Sequence, residues 1–317
     1  MEKWQLAAGH HHLFHIVAPL VARARGYFEQ EGAGNCDFLS TGSDSKTIEG
    51  MREARYQVGL DPKPFLVCEA KAKGADFYIV GGFLNSPAYA FMAAKGRGIK
   101  TLKDLKGKKI SVREPDGIDC RFTRQLFRRE GLDTDKMVQW VCKGSPSRRF
   151  QQPLFDSGEV DAGMVILRDV PGMVQEGYPL LADLSQVYPH GYAVRVTAAR
   201  GDVVREQPER FTALLRALIR AYRFMNQKYV ETMRIVSQVG YKLDKDMDTS
   251  LWEEKYHMFE RVPLDGMVGE QGLEQVIEEE KAVGKLTASF TVQDILLDRF
   301  VKDAAASVNR RFGAGCE

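Results

Sequence analysis

The sequence lacks a long apolar run, a CxxC pair and an excess of charge of either sign. No apolar stretch approaches the ~20 residues of a membrane-spanning helix, so we expect no insertion into a membrane. Lys and Arg number 45 against 43 Asp and Glu, a net charge of +2, which gives no reason to expect nucleic acid as a partner. The odd number of cysteines, five, favours reduced thiols, with one disulfide plus odd thiols as the alternative.

The first residues also lack the basic start, the apolar stretch and the small-residue cleavage site of a secretory signal. As written, the chain therefore predicts a cytoplasmic protein, and a trimmed mature form of a periplasmic protein is the alternative. What is present is ordinary for a globular protein, with 44% hydrophobic and 28% charged residues. The 317 residues correspond to about two domains.

Short apolar strands alternate with amphipathic helices through the first two thirds of the chain. Such alternation predicts an α/β protein with mostly parallel sheets and helices on both faces. Strands are predicted over residues 4–8, 37–40, 56–60, 77–83, 88–93, 109–112, 138–142 and 192–197, with a short one ending near residue 165. Helices are predicted over residues 16–27, 46–55, 119–130 and 148–157.

The same succession of a helix, a polar turn and a short strand that contains glycine occurs twice, at residues 52–60 and at residues 158–165. This repeat favours two similar lobes in tandem. After residue 197 the pattern becomes helical, beginning with Pro208 and continuing with apolar residues at three- and four-residue spacing to Tyr229. Further helices are predicted over residues 248–259, 269–283 and 292–305.

Four segments occur in the order found in one known superfamily: 18–32, 99–112, 158–163 and 206–211. With them the chain resembles the type II periplasmic-binding-protein-like superfamily, in the branch that binds nitrate, taurine, sulfonates and thiamine-pyrimidine precursors for ABC transporters. The resemblance implies two Rossmann-like lobes with mixed sheets, joined by two crossing strands near residues 89–93 and 193–197, with a ligand cleft between the lobes.

The helical tail is too long to cap the second lobe alone, so we expect it to pack on lobe one. Lobe one then comprises residues 1–90 and 193–317, and lobe two comprises residues 91–192.

Ligands of open α/β sheets bind beyond the carboxyl ends of the strands, where helix N-termini favour anions. The candidate ligand-binding residues share a place in the predicted loops at these ends: His10, His11, His12, His15, Thr41, Ser43, Asp61, Asn85, Ser86, Arg113, Asp116, Cys120, Arg121, Ser145, Arg168 and His190.

The first of these loops holds four of the six histidines of the chain. An imidazole can bind a transition metal or act as a general acid or base. The alternatives are that one or two of these rings form hydrogen bonds to a ligand, or that they are polar loop residues without a function. His10 and His12 could share a metal, but no acidic residue or cysteine nearby completes a ligand set. We therefore expect a histidine contact to the ligand, and neither a resident metal nor a cofactor.

The second lobe offers cationic and nucleophilic candidates. Arg113 and Arg121 suit a bidentate contact to a carboxylate or sulfonate. Cys120 begins a predicted helix, which favours either an activated thiolate or, more simply, a small half-buried side chain. Asp61 and Asp119 can bind a ligand amine or cap helices, and capping is the default.

These features favour a monomeric binding protein for a small organic anion, with an ABC-transporter permease as a possible partner. The alternative is a cytoplasmic enzyme on the same fold, like a decarboxylase, a desulfinase or a pyrimidine-precursor synthase, that acts on a small aromatic or heterocyclic acid through His10 and Cys120. The resemblance includes such enzymes, but the iron motif of the pyrimidine-precursor synthase has no counterpart in residues 185–197. The position of its cofactor lysine is Asp61 here, with Lys63 two residues on.

Overall fold

The computed structural model describes residues 3–9, 13–115, 117–238 and 261–315. The chain divides into two compact units, residues 1–86 with 190–317 and residues 87–189. Both boundaries lie a few residues earlier than those expected from the sequence. None of the helices in the described part of the chain combines the length and the apolar character of a membrane span.

The described strands number ten, and each of the two sheets has five of them. The strands are β1 (Trp4–Ala8), β2 (Cys36–Ser40), β3 (Val58–Gly59), β4 (Phe77–Leu84), β5 (Tyr89–Ala93), β6 (Lys109–Val112), β7 (Gln139–Cys142), β8 (Ala162–Ile166), β9 (Leu180–Asp183) and β10 (Arg195–Arg200).

The described helices alternate with the strands and then dominate the last third of the chain. They are α1 (Val17–Ala24), α2 (Tyr27–Glu31), α3 (Asp44–Arg52), α4 (Pro64–Ala72), α5 (Ile118–Arg129), α6 (Thr134–Met137), α7 (Arg148–Ser157), α8 (Val170–Gln175), α9 (Leu184–Val187), α10 (Gly201–Glu206), α11 (Pro208–Gln227), α12 (Tyr229–Gln238), α13 (Glu270–Ala282), α14 (Val292–Ile295) and α15 (Arg299–Phe312). Short 3-10 helices cover Leu13–His15, Leu102–Leu105 and Leu167–Asp169.

The sheet of the first unit has the order β2-β1-β3-β10-β4. Strands β1, β2 and β3 are parallel, and β10 runs antiparallel to both β3 and β4. The carboxyl ends of β1 to β4 therefore lie at one edge of the sheet, together with the first residue of β10. Polar residues that follow these strands are brought to the same edge.

The helical tail packs on this first sheet, as predicted. Helix α11 contacts α1, α2 and α15, and α15 also contacts β4. The stripe predicted from the spacing of apolar residues is buried, including Phe211, Leu214, Leu218 and Tyr222. It forms one hydrophobic core with the first two helices of the unit.

The sheet of the second unit has the order β7-β6-β8-β5-β9. Strand β6 is parallel to β7 and β8, whereas β5 is antiparallel to β8 and β9. Both sheets are therefore mixed, as the resemblance implied, and four of the five strands in each run in the same direction, which agrees with the expectation of mostly parallel sheets. The βαβ spacing alone does not reveal that β5 and β10 run in the opposite direction.

Several predicted elements differ from the structure. The strand predicted over residues 56–60 is limited to Val58–Gly59, and the helix predicted over residues 46–55 is Asp44–Arg52. The helix predicted over residues 16–27 ends near Ala24, because Gly26 adopts a left-handed conformation with φ of 67° before α2 begins. The helix predicted over residues 292–305 is two helices, α14 and α15. The strand predicted over residues 192–197 begins at Arg195. Of the residues before it, Tyr192 and Val194 donate their N–H groups to Asn85 and Leu84 at the end of β4, and Ala193 donates to Gly272. The helix predicted over residues 248–259 lies outside the described residues.

Candidate functional site

Five ionisable side chains gather at the carboxyl-end edge of the first sheet. Asp61 and Lys63 follow β3, and Asp44 begins α3. Arg195 opens β10, and His15 ends the short helix after β1. These five residues are called the Asp61 cluster below. Each side chain in it is at most 11% exposed.

Asp61 lies at the centre and is fully buried. Its Oδ1 accepts a hydrogen bond from the backbone N–H of Gly9 at 3.0 Å, and its Oδ2 is hydrogen-bonded to Nδ1 of His15. Burial by itself would raise the pKa of Asp61, but His15 and Arg195 lower it below its ordinary value. The carboxylate is therefore ionised at neutral pH and holds the imidazole in one orientation.

Arg195 forms hydrogen bonds to both aspartates of the cluster. Its Nη1 donates to Oδ1 of Asp44 at 2.7 Å and to the carbonyl oxygen of Asp61 at 3.0 Å. The Nζ of Lys63 lies 3.7 Å from the other carboxylate oxygen of Asp44. Two buried carboxylates thus face two cations, which is the arrangement that makes buried charges tolerable.

Aromatic side chains pack beside the cluster. The ring of Phe14 meets His15 edge-on with centroids 5.3 Å apart, and it also contacts Phe83 at 4.9 Å. Tyr222 lies next to Phe83, and burial raises the pKa of its phenol far above the ordinary value. The phenol is therefore neutral over the physiological range, and the apolar packing limits how the imidazole can turn.

Close approach of the backbone also shapes this edge. A Cβ at Gly9 would lie 2.2 Å from Oδ1 of Asp44 and 3.1 Å from its Cα. A side chain fits at that position only when the Asp44 carboxylate moves and the start of α3 gives slightly. Glycine therefore lets the loop after β1 reach the Asp61 carboxylate.

Thr41 and Ser43 lie at the same edge but serve the local backbone. The hydroxyl of Thr41 donates to the carbonyl oxygens of Ala8 at 3.2 Å and Ser43 at 2.8 Å. The hydroxyl of Ser43 accepts from the N–H of Lys46 and caps α3. Their roles as ligand donors stay a prediction.

Asn85, Ser86 and His190 form a separate group of candidates in the first unit. The amide nitrogen of Asn85 donates to the carbonyl of Met267 at 2.7 Å, while its Oδ1 is buried without a partner. Asn85 also lines a cavity of about 540 Å³ next to the loop 263–269. Ser86 accepts a hydrogen bond from Arg261 at 3.1 Å, and His190 is exposed.

The candidate residues of the second unit lie in the segments that follow the strands of its sheet. Arg113 is exposed after β6, and its backbone N–H donates to Oδ2 of Asp119 at 2.6 Å. Cys120 is 1% exposed, so the expectation of a half-buried side chain was wrong: the first turn of α5 is covered on this face. Ser145 is half-buried.

Neither of the two aspartates expected to cap a helix does so, and their role in binding a ligand amine stays a prediction. Asp61 accepts bonds from Gly9 and His15, and Asp119 lies inside the first turn of α5, where its carboxylate bonds the N–H of Arg113. The default expectation of capping was therefore wrong for both residues. The partners of Asp61 are distant in the sequence, whereas the partner of Asp119 is a backbone N–H six residues before it.

Two arginines complete the candidates of the second unit. Arg121 lies in the first turn of α5 and is half-buried. Arg168 lies 3.7 Å from the carboxylate of Asp169, which also accepts the N–H of Arg148 at 2.9 Å. The Asp169 carboxylate therefore already places a negative charge at the N-terminus of α7.

The remaining candidates, His10, His11, His12 and Asp116, lie outside the described residues. The weak metal candidates His10 and His12 are among them. Within the described ranges, no three His, Cys, Asp or Glu side chains are arranged to hold a metal ion. The cysteines that the structure describes, Cys36, Cys68, Cys120 and Cys142, form no disulfide.

Sequence reasoning missed most of the Asp61 cluster. The sequence singles out neither Asp44 nor Arg195, and it gives Lys63 no role beyond its place two residues after Asp61. The available signal was the position of Arg195 between Val194 and Val196, since a cation within an apolar strand needs a buried partner. That signal indicates a partner but does not identify it.

A family model described as NMT1/THI5-like matches residues 14–231 of the chain. Among curated proteins, the 4-amino-5-hydroxymethyl-2-methylpyrimidine phosphate synthase of Schizosaccharomyces pombe is 25% identical over 262 residues. The match covers 77% of this chain and 73% of that protein.

Two solved structures are similar to the chain over most of its length. The periplasmic aliphatic sulphonate-binding protein SsuA of Escherichia coli aligns with a TM-score of 0.68 and 13% identity, over 94% of this chain and 92% of that chain. The periplasmic nitrate-binding protein NrtA of Synechocystis PCC 6803 aligns with a TM-score of 0.61 and 14% identity, over 96% and 89%. These similarities confirm the predicted periplasmic-binding-protein fold.

Proposed function

Because the chain belongs to the NMT1/THI5-like family, we propose that it binds a small organic anion in the manner of an ABC-transporter solute-binding protein. The ligand class is a carboxylate, a sulfonate or a heteroaromatic acid. The two similar structures are those of binding proteins for small anions, one for aliphatic sulphonate and one for nitrate. A transporter permease would be its partner.

The Asp61 cluster carries this proposal. It lies at the strand ends where α/β folds bind ligands, and it places an oriented imidazole and two cationic side chains there. Burial of the ion pairs fixes these groups before a ligand arrives, which lowers the cost of ordering them on binding. Helix termini at the same edge add backbone N–H groups that favour an anion.

Thermal unfolding in the presence of methanesulfonate, nitrate and benzoate tests the proposal. A ligand present at 100 times its Kd stabilises the folded state by about 2.7 kcal/mol, which corresponds to a rise in Tm of about 5 °C. Choline, a small cation, serves as the negative probe. The proposal fails when none of the three anions raises Tm, or when choline raises it as much.

A matched pair of variants locates the site. Asp61→Asn keeps the shape but removes the carboxylate that orients the His15 ring, and we expect at least a tenfold loss of affinity because the imidazole is no longer held in place. Asp37→Asn is the control, because Asp37 also forms ion pairs, at 2.7 Å to Lys3 and 2.6 Å to Arg23, but on the exposed face of β2. Equal losses in both variants would contradict a site at the Asp61 cluster.

The second candidate function is an enzyme that acts on a small aromatic or heterocyclic acid. Two observations favour it: the 25% identical synthase, and the Asp61–His15 pair, since a carboxylate on Nδ1 is how a histidine general base is oriented. Conversion of benzoate or benzenesulfinate, followed by mass spectrometry, would support this candidate. Loss of that turnover in His15→Gln, His10→Ala or Cys120→Ala would identify the residues involved.

A further inference from the structure

We infer that the cavity beside residues 263–269 is a second ligand site of the first unit, and that it takes a protonated primary or secondary amine carried on an apolar body. The cavity has a volume of about 540 Å³, which lies within the range of small-molecule sites, about 300–1,000 Å³. Its lining residues all belong to the first unit, and none of them is a member of the Asp61 cluster. Binding there is therefore independent of the proposed function.

Apolar side chains form much of the cavity wall, namely those of Pro263, Leu264, Met267 and Val268. The first three are half-buried, so they keep surface that a ligand can cover. Removal of apolar surface from water favours binding in proportion to the area covered. The wall therefore favours a ligand with an apolar or aromatic body over a bare ion.

Asp265 gives the cavity its accessible charge. Its side chain is half-buried, its Oδ1 accepts from the N–H of Met267 at 2.9 Å, and its carboxylate forms no ion pair within the described part of the chain. Arg223 also lines the cavity, but it is 1% exposed, and its guanidinium donates to the carbonyl oxygens of Leu264 and Gly313. The charge that a ligand meets is thus mainly negative, and a carboxylate forms its strongest hydrogen bonds with a charged N–H donor.

Asn85 adds a second acceptor to the lining. Its amide nitrogen donates to the carbonyl oxygen of Met267 at 2.7 Å, and its Oδ1 is buried with no hydrogen-bond partner among the residues that the structure describes. A buried acceptor without a partner destabilises a protein, so a donor that reaches it is favoured. An ammonium group has several N–H bonds and can donate to more than one acceptor, whereas an anion can donate to none.

Hydrogen bonds hold the wall of the cavity in place before a ligand arrives. The N–H of Gly82 donates to the carbonyl oxygen of Gly266 at 2.8 Å, and Nε of Arg223 donates to that of Leu264 at 2.8 Å. The loop lies close against β4, since a Cβ at Gly81 would be 2.8 Å from the carbonyl oxygen of Gly266. A wall that is already ordered lowers the entropy cost of binding.

Tryptamine and tryptophol are a matched pair of probes for this site. They share the indole ring and the length of the side chain, and they differ in an ammonium group against a hydroxyl group. Ligand-observed NMR titration with the full chain at pH 7 measures the Kd of each. We expect tryptamine to bind saturably and at least tenfold more tightly than tryptophol, because only tryptamine carries the charge that complements Asp265.

Two aspartate variants assign the site. Asp265→Asn removes the charge but keeps an oxygen that can accept the N–H of Met267, so we expect a stable protein that binds tryptamine at least tenfold more weakly. Its Kd for tryptophol should be unchanged, a split that a merely structural role of Asp265 would not produce. Asp303→Asn removes an equal charge from an exposed position on α15 and should keep the wild-type affinity for both probes.

Three results would overturn the inference. Absence of saturable tryptamine binding would remove the site, and equal Kd values for the two probes would show that the ring alone is recognised. A Kd for tryptamine in Asp265→Asn that equals the wild-type value, or that changes as much as in Asp303→Asn, would place the recognised charge elsewhere. The comparison of the two probes uses the wild-type chain, so it can refute the site even when a variant does not fold.

Discussion

Replacement of Glu31 by glutamine should destabilise the first unit strongly. The Glu31 side chain is 1% exposed and accepts hydrogen bonds from three arginines: Arg216 at 2.9 Å, Arg220 at 2.8 Å and Arg311 at 2.6 Å. These arginines lie on α11 and α15, so one carboxylate joins α2 to two helices of the tail. The variant leaves three guanidinium groups around a neutral amide.

The size of the loss follows from the burial of the partners. Removing one partner of a buried ion pair costs about 3–5 kcal/mol. Arg220 is 10% exposed, whereas Arg216 and Arg311 are 22% and 42% exposed and can be rehydrated. We therefore expect a loss near the lower end, about 3 kcal/mol, and a fall in Tm of about 6 °C.

The pH dependence has a definite sign. Burial alone would raise the pKa of Glu31, but hydrogen bonds from Arg311, Arg220 and Arg216 hold it below the ordinary value of 4.5. A carboxylate with a lowered pKa stabilises the folded state above its unfolded-state pKa and loses that effect as pH falls through the folded-state pKa. The difference between wild type and Glu31→Gln should thus be full at pH 7 and shrink below pH 4.5.

Urea denaturation and differential scanning calorimetry at pH 7 and pH 4 measure the effect. Glu29→Gln is the matched control, since Glu29 is an exposed glutamate in the same helix, and its Tm should stay within about 1 °C of wild type. The reasoning is refuted when both variants melt alike, or when the Glu31→Gln difference grows as the pH is lowered.

Two further predictions concern the backbone at the site and the thiols. Gly9→Ala should lower stability or ligand affinity markedly in melting and binding assays, because its Cβ would lie 2.2 Å from a carboxylate oxygen of the Asp61 cluster. Gly269→Ala is the control and should be nearly neutral in the same assays, since nothing lies within 4 Å of the added Cβ. Cys36 and Cys68, whose thiol pKa values burial raises to about 11 and about 12, should resist iodoacetamide in the native protein at pH 8 while the exposed Cys142 is alkylated. Peptide mapping by mass spectrometry checks this, and rapid labelling of either buried thiol would contradict the packing around it.

Regular elements were predicted closely where the pattern was strong and local. Strand β6 and helix α7 occupy the predicted residues, and α13 begins and ends one residue inside its predicted range. The break at Gly26 was missed because apolar spacing continues across it. The late start of β10 was missed because the chain before it bonds to segments that the local pattern does not contain.

The candidate site was predicted as a region rather than as a set of contacts. The strand-end rule placed His15 and Asp61 among the candidates, and the structure joins them. It also named Thr41 and Ser43, whose hydroxyl groups are occupied by nearby backbone groups. Topology indicates which loops share an edge, but it does not indicate which polar groups there are already satisfied.

By itself, the sequence determined the alternation of strands and helices, the superfamily resemblance and the helical tail that returns to the first unit. These features follow from the periodicity of apolar residues and from short motifs in a fixed order, and each such signal is contained in a short stretch of sequence. Only the tertiary structure decided the charge arrangement around Asp61. Arg195 meets Asp44 and Asp61 across 151 and 134 residues, and partners so far apart are selected by burial and hydrogen bonding in the folded chain.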